Sequence, residues 1–297
     1  MSKHSAADIR SILRAYAAGD SFGVAYEFTE ISHEVDPNLL REKDGWPYGG
    51  VSDDTLLTLL TIQALDFTSP QNSQENFLKA LKSATPQLRG LGPTTRSALG
   101  LPVKEIELPQ VGVSNGALMR TALLGLAFGE GQDRERRIFV RAFAEATHRS
   151  ASAVGCALIG SALFADARAH GDSCSLYEVA EVEADAIKGD FDISLSDWQE
   201  PLCTGISNES TETLNAVLWT VKNSNSARDA LQISCELGGD TDTVAALSTA
   251  LLVARKGFNA DFESISWLNE INWSEISSLE ECAELLHRSL DIVKEAP

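Results

Sequence analysis

Two aspartates and two threonines stand between a Gly-Gly pair and a nearly unbroken apolar run in the segment ELGGDTDTVAALSTALL, Glu236 to Leu252. One such side chain suffices to cap a helix, because it accepts the unpaired N–H groups of the first turn. Asp240 and Asp242 repel each other, however, when both are ionised near a buried helix end. The segment therefore predicts a helix start neutralised by a cation or a proton, with plain capping as the alternative.

A second segment, YGGVSDDTLLTLL from Tyr48 to Leu60, repeats this pattern. If the two helix starts face each other, they supply six oxygen-bearing side chains: Ser52, Asp53, Asp54, Asp240, Asp242 and Thr243. Hard divalent cations such as Mg²⁺, Mn²⁺ or Ca²⁺ take all-oxygen ligand sets, and four carboxylates match the charge of two such ions. Because capping alone does not explain a matched pair of clusters, the sequence favours a dinuclear metal site.

The letters DTDTV also fit the D-x-D-x-[T/V] loop of haloacid-dehalogenase-like phosphatases, in which the first Asp is a nucleophile beside a metal. That loop should follow an apolar strand near the start of an α/β domain. Here it follows SCELGG close to the end of a helical chain, and the SDDT segment would have no role. The phosphatase interpretation is therefore the weaker alternative.

The composition predicts a globular, acidic protein. The chain has 297 residues, 43% of them hydrophobic, and a net charge of −19. This charge argues against an anionic membrane or direct contact with a nucleic-acid backbone, because both need a basic face. An anionic substrate is repelled at long range as well, so its site needs local positive charge from a metal or from helix N-termini.

Neither a secretory signal nor a membrane span is predicted, so the expected location is the cytoplasm. The cysteines include no C-x-x-C pair and are scattered along the chain at Cys156, Cys174, Cys203, Cys235 and Cys282. This pattern predicts reduced structural thiols rather than disulfides, a zinc site or a catalytic nucleophile.

Helical periodicity dominates the first half of the chain, and strand-like alternation is almost absent. The segment AADIRSILRAYAAGDSFGVAYEF is predicted to be helical, with a break or tight packing at Gly19-Asp20. DDTLLTLLTIQAL is predicted to be helical from about Asp54. Two further helices are expected on either side of Thr147-His148.

The second half continues the helical pattern. Two helices are predicted around the turn NSNS, and the later one ends at Gly238-Gly239. Residues 175–200 hold much of the acid and are interpreted as a solvated helix followed by an exposed loop. The closing segment SSLEECAELLHRSLDIVKEA is amphipathic, with one side formed by Leu279, Cys282, Leu286 and Leu290. No linker divides the chain, which predicts a single all-α domain over residues 1–297.

Six motifs occur in order along most of the chain: GDSFGVAYEF from Gly19, SDDT from Ser52, GPTTRSAL from Gly92, SNGALMR from Ser114, TH at Thr147 and GGDTDT from Gly238. They resemble the landmarks of the ADP-ribosylglycohydrolase family, which contains dinitrogenase reductase-activating glycohydrolase and the ADP-ribosyl-arginine and ADP-ribosyl-serine hydrolases. The resemblance implies an all-α, single compact orthogonal helical bundle with a dinuclear metal site at helix N-termini. It also implies cleavage of the glycosidic bond between ADP-ribose and an acceptor, with arginine favoured over serine.

The resemblance implies two divalent cations, Mg²⁺ or Mn²⁺, on the six oxygen-bearing side chains of the two helix starts. The ions bind the distal ribose and lower the pKa of the water that attacks the anomeric carbon. The candidate catalytic carboxylates are Glu27, Asp53, Asp54 and Asp242. Glu27 is the candidate general base, with a buried acid paired with Arg14 or Lys43 as the alternative.

Six residues are expected to bind the substrate: Gly92, Ser114, Asn115, Gly116, Met119 and His148. The loop GVSNG, from Gly112 to Gly116, offers backbone N–H groups to the pyrophosphate, with an ordinary Asn-Gly turn as the alternative. His148 either contacts phosphate or ribose or is a packing residue. Arg120 is either a phosphate ligand or the ion-pair partner of an acid. Asp20 is expected to cap or buttress the first acidic helix.

Three classes of function stay open. The leading hypothesis is a metal-dependent hydrolase acting on an ADP-ribosylated protein or another ADP-ribosylated acceptor. The second is an immunity or binding protein that occludes an ADP-ribosylating toxin or other ADP-ribosyltransferase, because an acidic face can dock on a basic enzyme. The third, a structural protein with a dead site, is disfavoured by the retained carboxylates. Leu56 and Pro93 depart from the family pattern and bear on the acceptor more than on the chemistry.

Overall fold

The computed structural model describes residues 5–29, 34–193, 201, 205–256 and 260–295. Over these residues the chain forms thirteen α-helices and no β-strand, which confirms the predicted all-α class. The helices are α1 (Ala6–Gly23), α2 (Asp53–Gln63), α3 (Pro70–Ala84), α4 (Pro93–Ala98), α5 (Gly116–Thr121), α6 (Asp133–Glu145), α7 (Ala151–His170), α8 (Leu176–Ile187), α9 (Ser210–Asn223), α10 (Ala227–Glu236), α11 (Thr241–Lys256), α12 (Ala260–Glu263) and α13 (Leu279–Glu295). Short 3₁₀ turns are Thr85–Gln87, Glu105–Gln110, Ala122–Ala127, Ser266–Glu270 and Trp273–Ile276.

The helix boundaries follow the signals in the sequence. Helix α2 begins at Asp53, because the Ser52 hydroxyl accepts the Asp54 N–H at 3.0 Å and so caps the first turn. Helices α6 and α7 flank Thr147-His148, and α9 and α10 flank the predicted NSNS turn. The predicted break at Gly19-Asp20 does not occur, since α1 continues to Gly23.

Helices α1 and α11 form the most extensive helix pair in the described chain, and glycines make their close approach feasible. A Cβ atom at Gly19 would lie closer than 3.0 Å to the backbone of Ala245. A Cβ atom at Gly23 would meet the backbone of Asp242 equally closely. The Thr241 hydroxyl donates to the Gly23 carbonyl at 2.8 Å. The tight packing expected at Gly19-Asp20 is thus confirmed, and it joins the end of α1 to the start of α11.

The Gly238-Gly239 pair shapes the entry into α11. Both glycines have positive φ, 70° and 77°, a region that side chains rarely allow. The Ile206 N–H donates to the Gly238 carbonyl at 2.9 Å, and the Asp240 N–H donates to the Ile206 carbonyl at 2.9 Å. A Cβ atom at Gly239 would overlap the Ile206 backbone. The glycines therefore let a distant segment lie directly against the start of α11.

Helix α7 lies in the core of the fold. By length and composition alone it could cross a membrane, but 78% of its apolar stretch is buried inside the protein, as is typical of a core helix. The predicted apolar side of α13 is buried at Leu279, Cys282 and Leu286. The side chain of Leu290 lies outside the described part of the chain.

The acidic stretch 175–200 is mostly solvated where the structure describes it, with one exception. Glu183 on α8 is buried, and its carboxylate accepts hydrogen bonds from Arg136 and Arg137, each at 2.8 Å. Two guanidinium partners offset the cost of burying this charge. Residues 194–200, which belong to the predicted loop, lie outside the described ranges.

The described cysteines are free thiols. Cys156, Cys235 and Cys282 are buried, and burial raises the pKa of Cys156 and Cys282 to about 12. Cys174 is partly exposed. Cys203 lies outside the described residues.

Gly19→Ala is expected to destabilise the protein by about 1–3 kcal/mol, the usual cost of overpacking, even though Ala is the better helix former. The added methyl group meets the rigid backbone of Ala245. Gly189→Ala is the matched control, because no atom lies within 4 Å of the place that its Cβ atom would take. Urea unfolding measures both variants, and equal midpoints would show that the α1–α11 contact does not require glycine.

Candidate functional site

The two acidic helix starts meet in one open cavity of about 70 Å³. Carboxylate atoms of Glu27, Asp240 and Asp242 lie within 4.8 Å of one another, and Asp53 and Asp54 line the same cavity. The facing arrangement expected from the sequence is therefore present. The lining residues are Glu27, Phe28, Asp53, Asp54, Gly90, Gly92, Pro93, Thr95, Ser114, Asn115, Gly116, Met119, Asn208, Asp240, Asp242 and Thr243.

Asp20 lies fully buried behind this cavity and holds the start of α2. Its carboxylate accepts the Ser52 N–H at 3.0 Å, the Thr55 N–H at 3.1 Å and the Thr55 hydroxyl at 2.5 Å. The two backbone N–H groups lie at the start of α2, where no helical carbonyl reaches them, so Asp20 satisfies them instead. The predicted buttressing role of Asp20 is confirmed, and it links α1 to α2 through a charge.

Burial and mutual repulsion perturb the cavity carboxylates. Burial raises the pKa of Asp53, Asp54 and Asp242 well above the ordinary value, and neighbouring carboxylates raise it further. Burial raises the pKa of Asp240 to about 6, although the Asn115 amide opposes the shift. Without a cation, the cluster therefore retains protons at a pH where exposed aspartates are ionised.

The cluster has the properties that a divalent cation requires. Within the described chain, none of the four cavity aspartates forms an ion pair with Lys, Arg or His. One oxygen of Asp54, Oδ2, is buried and has no hydrogen-bond partner. A buried, unpaired acceptor is costly unless a ligand satisfies it. The donor set is all oxygen, so the residues fit Mg²⁺ or Mn²⁺.

The two hydroxyl residues of the predicted ligand set differ in position. Thr243 lines the cavity, whereas Ser52 is buried beside it and its oxygen already accepts the Asp54 N–H. Hydroxyl oxygen has two acceptor lone pairs, so capping leaves one of them on Ser52. The structure thus brings five of the six predicted ligands to the cavity wall and Ser52 just behind it.

Glu27 lines the cavity and also forms an ion pair. Its Oε2 atom accepts from Lys43 Nζ at 2.7 Å, and its side chain is 26% exposed. Arg14, the other partner considered, pairs with Glu263 at 3.1 Å instead. The alternative that Glu27 pairs with Lys43 is therefore confirmed. The paired Glu27 carboxylate still lies beside those of Asp240 and Asp242.

Three of the five backbone N–H groups of the GVSNG loop donate to acceptors inside the protein. Gly112 donates to Thr94 Oγ1 at 2.9 Å, Val113 to the Gln110 carbonyl at 3.3 Å and Asn115 to the Asn208 carbonyl at 2.8 Å. These three N–H groups are therefore not free for a pyrophosphate, contrary to the expectation from the sequence. Only the end of the loop, Ser114 to Gly116, lines the cavity.

The Asn115 side chain is committed as well. Its amide nitrogen donates to the Asp240 carboxylate and to Thr213 Oγ1, the latter at 2.8 Å. The predicted substrate ligand thus orients one of the predicted metal ligands. Gly92 and Met119, which were expected to bind substrate, line the cavity directly.

His148, which was predicted either to contact the substrate or to be a packing residue, lies behind the cavity wall and does not line the cavity. The ring is fully buried, with Nε2 3.0 Å from Ser114 Oγ and Nδ1 2.8 Å from Thr147 Oγ1. A Cβ atom at Gly116 would lie 2.9 Å from the ring. Burial and the charge of Arg120 hold the His148 pKa well below its usual value. A neutral His148 therefore supports Ser114, as the packing alternative proposed.

Arg120 matches neither role considered for it. Its guanidinium donates to the Phe143 carbonyl and to Thr147 Oγ1, each at 2.8 Å, and stacks over the Phe77 ring at 4.5 Å. No acid among the described residues pairs with it. Burial lowers its pKa to about 9. Arg120 therefore anchors Thr147, which in turn contacts His148.

Sequence reasoning missed four lining residues: Phe28, Gly90, Thr95 and Asn208. Phe28 has a positive φ of 49° and is 60% exposed at the cavity. Gly90 leaves room for Asp53, since a Cβ atom there would lie 2.8 Å from Asp53 Oδ1. The motif YEF pointed towards Phe28, but nothing in the local sequence marked Asn208.

A larger groove of about 390 Å³ lies on another face of α2 and contains no carboxylate cluster. Its walls are Leu56, Leu59, Leu60, Gln63, Ala84, Gln87, Leu88, Arg89, Glu275 and Ser278. Leu56, which departs from the family pattern, faces this groove and is absent from the lining of the acidic cavity. Pro93, the other departure, lines the acidic cavity.

The phosphatase interpretation of DTDTV is wrong for this fold. Asp240 follows α10 and two glycines of positive φ rather than a strand, and the described residues contain no β-sheet. The second acidic cluster, which that interpretation leaves without a role, shares the same cavity.

Comparisons with known proteins agree with the geometry. A family model described as ADP-ribosylglycohydrolase matches residues 1–293. A solved structure described as "ADP-ribosylglycohydrolase-related protein complex" is similar with a TM-score of 0.67 and 23% identity, over 95% of this chain and 97% of that chain. At this identity the likeness supports the fold alone. No curated protein matches the chain.

In a chelator, the stability of the protein is expected to fall as the pH rises. The Asp240 pKa changes from an ordinary 3.8 to about 6 on folding. Its contribution is therefore fully present below about pH 4 and is lost as the pH rises through about 6, a difference worth about 3 kcal/mol. Urea unfolding from pH 4 to about 8 measures the loss, which Asp240→Asn should reduce. Parallel profiles for the two proteins would contradict this assignment.

Asp53→Asn combined with Asp54→Asn is expected to stabilise the metal-free protein by about 1–3 kcal/mol near pH 8, because it relieves buried repulsion. We expect Mg²⁺ to raise the melting temperature of the wild type, and this variant should lose that rise. Glu42→Gln with Asp44→Asn changes the net charge equally at exposed positions and is the control. Metal-free melting of the cavity variant below that of wild type would count against the repulsion argument.

Proposed function

Since the chain belongs to the ADP-ribosylglycohydrolase family, we propose that it is a metal-dependent hydrolase that cleaves the bond between ADP-ribose and an acceptor side chain. Family membership supports hydrolysis of ADP-ribose linkages; the metal dependence and the acceptor are the proposed part. The observation that carries the proposal is the convergence of five carboxylates in one cavity with a single basic partner, Lys43 on Glu27, in the described chain.

The proposed metal ligands are Ser52, Asp53, Asp54, Asp240, Asp242 and Thr243. When bound, two Mg²⁺ or Mn²⁺ ions supply charge neutralisation and Lewis-acid activation of water and substrate hydroxyls. Asp54 supports this assignment because its buried Oδ2 atom lacks a hydrogen-bond partner. Asn115 orients Asp240, and Asp20 holds the helix start that carries Asp53 and Asp54.

Glu27 is the proposed general base, which takes a proton from the attacking water as the bond to the acceptor breaks. Its partial exposure gives water access to the carboxylate, and the 2.7 Å ion pair with Lys43 holds the side chain beside the aspartates. Asp53, Asp54 and Asp242 complete the proposed catalytic carboxylates. They would act by holding the ions that activate the attacking water.

The proposed binding wall consists of Gly92, Ser114, Asn115, Gly116 and Met119, with His148 supporting it from behind. Glycines at 92 and 116 let the ligand approach the backbone closely. The cavity of about 70 Å³ accommodates ions and a few water-sized groups, so most of a dinucleotide-sized ligand must extend through its open mouth. The exposed ring of Phe28 lies at that mouth.

An ADP-ribosylated protein is the proposed partner, with arginine preferred over serine as the acceptor. The net charge of −19 attracts basic acceptor segments. A departing guanidinium group also suits a carboxylate-rich cavity better than a neutral hydroxyl does. Both arguments concern charge, so the preference should weaken at high salt.

The test compares release of ADP-ribose from arginine-linked and serine-linked ADP-ribosyl peptides of matched sequence, with Mg²⁺ and with chelator. We expect Mg²⁺-dependent release, faster from arginine. Glu27→Gln should slow release by about 10²–10⁴-fold, the usual contribution of a general base, while calorimetry shows retained ADP-ribose binding. Glu42→Gln, an exposed carboxylate, is the control.

Each contrary outcome overturns a separate part of the proposal. Equal rates in Mg²⁺ and in chelator would remove the metal dependence, and faster release from serine would reverse the acceptor preference. Binding of ADP-ribose without release from either peptide would remove the hydrolase function and favour the occluding role for an ADP-ribosyltransferase.

A further inference from the structure

A second cluster of ionisable side chains lies where α7 ends. Ligand atoms of Asp166, His170 and Cys174 lie within 4.8 Å of one another, and all three residues are partly exposed. Asp166 and His170 are four residues apart and share one face of α7. Cys174 belongs to the connection that follows the helix. The proposed hydrolysis uses none of these side chains.

The chain reversal that brings Cys174 back to the helix is held by specific contacts. Gly171 has a φ of 65° and ends α7, with its N–H donating to the Ala167 carbonyl at 2.9 Å. Arg255, near the end of α11, donates to the Cys174 carbonyl at 2.6 Å and to the Asp172 carboxylate at 2.8 Å. The position of Cys174 therefore follows from two helix ends and is not that of an unrestrained loop residue.

The contacts within the cluster leave coordination capacity at Asp166. His170 Nδ1 lies 2.7 Å from Asp166 Oδ1. The other oxygen, Asp166 Oδ2, is buried without a hydrogen-bond partner, and its ion pair with Arg255 Nη1 is long, at 3.8 Å. The carbonyl end of a helix also favours a bound cation. Two independent features thus point to a cation at this place.

The ligand types select the class of metal. A thiolate, an imidazole nitrogen and a carboxylate oxygen form a mixed set that suits Zn²⁺, whereas Mg²⁺ and Ca²⁺ prefer oxygen alone. The charges also balance, because Asp166 and a Cys174 thiolate neutralise one divalent ion. Asp172 offsets the charge of Arg255.

We propose that Asp166, His170 and Cys174 form a zinc site whose fourth position is taken by water. Three bonds to the metal form, from a carboxylate oxygen, a neutral ring nitrogen and the sulfur, and the thiol proton passes to solvent. The ion ties the connection after α7 to the last turns of that helix. This site revises the expectation that the scattered cysteines bind no zinc, since its ligands follow a spacing of four residues and not C-x-x-C.

The zinc site is separate from the acidic cavity. Helix α11 begins at the cavity with Asp242 and reaches the second cluster with Arg255, and thirteen residues of helix span about 20 Å. The cavity ligands are all oxygen, so only the second site can place a thiolate on a metal. A metal–sulfur signal that requires Cys174 therefore reports this site and does not depend on the hydrolase proposal.

The test is a Co²⁺ titration of the reduced, full-length protein, followed by the thiolate-to-cobalt charge-transfer absorption. We expect this band to saturate at one equivalent and to disappear when Zn²⁺ is added. Cys174→Ser should abolish the band, and His170→Ala should weaken Co²⁺ binding at least about tenfold. Asp172→Asn is the matched control, because it changes a neighbouring carboxylate outside the ligand set and should retain the band.

Circular dichroism establishes that the variants are folded, and Cys174→Ala provides a second replacement of the thiol. Absence of the band in the wild type would overturn the proposal. A band that survives in both Cys174 variants and is lost in Cys203→Ser would overturn it equally, by assigning the thiolate elsewhere.

Discussion

Four buried aspartates line one cavity: Asp53, Asp54, Asp240 and Asp242. Their carboxylates repel one another when ionised, because water screens the charges poorly there. The remaining architecture holds this arrangement in place. Asp20 fixes the start of α2 through donors that no helical carbonyl uses, and Asn115 fixes Asp240. The fold therefore maintains repulsion among buried carboxylates, which the proposed cations would relieve.

Close backbone packing is what brings the two acidic helix starts together. Gly19 and Gly23 let α1 approach α11 more closely than any side chain would permit, and Gly239 lets the Ile206 segment lie against the same helix start. These positions contribute no chemistry themselves. Their small size determines the distance between the carboxylates of the two helix starts. The same residues therefore constrain both the packing and the site.

The site is supported from behind by buried polar groups rather than by further ligands. Arg120 contacts Thr147, Thr147 contacts His148, and His148 contacts Ser114 at the cavity wall. Burial keeps His148 neutral, so the support carries no charge change over the physiological pH range. At its other end α11 contributes Arg255, which donates to the Cys174 carbonyl, so one helix connects the acidic cavity with the proposed zinc site.

The sequence by itself determined the helices and the two acidic helix starts, because periodicity, capping residues and unbalanced carboxylates are local signals of burial and charge. Their convergence was an expectation that the tertiary structure decided. The sequence could not locate Asn208 in the cavity or place His148 behind the wall, because those positions depend on partners distant in sequence. Nor could it show that the N–H groups of Gly112 and Asn115 donate to Thr94 and Asn208. Only the tertiary structure decided that Cys174 returns to Asp166, since that reversal depends on Arg255 at the end of another helix. Tertiary packing determines which hydrogen-bond partners lie outside a helix, and a local sequence pattern does not show them.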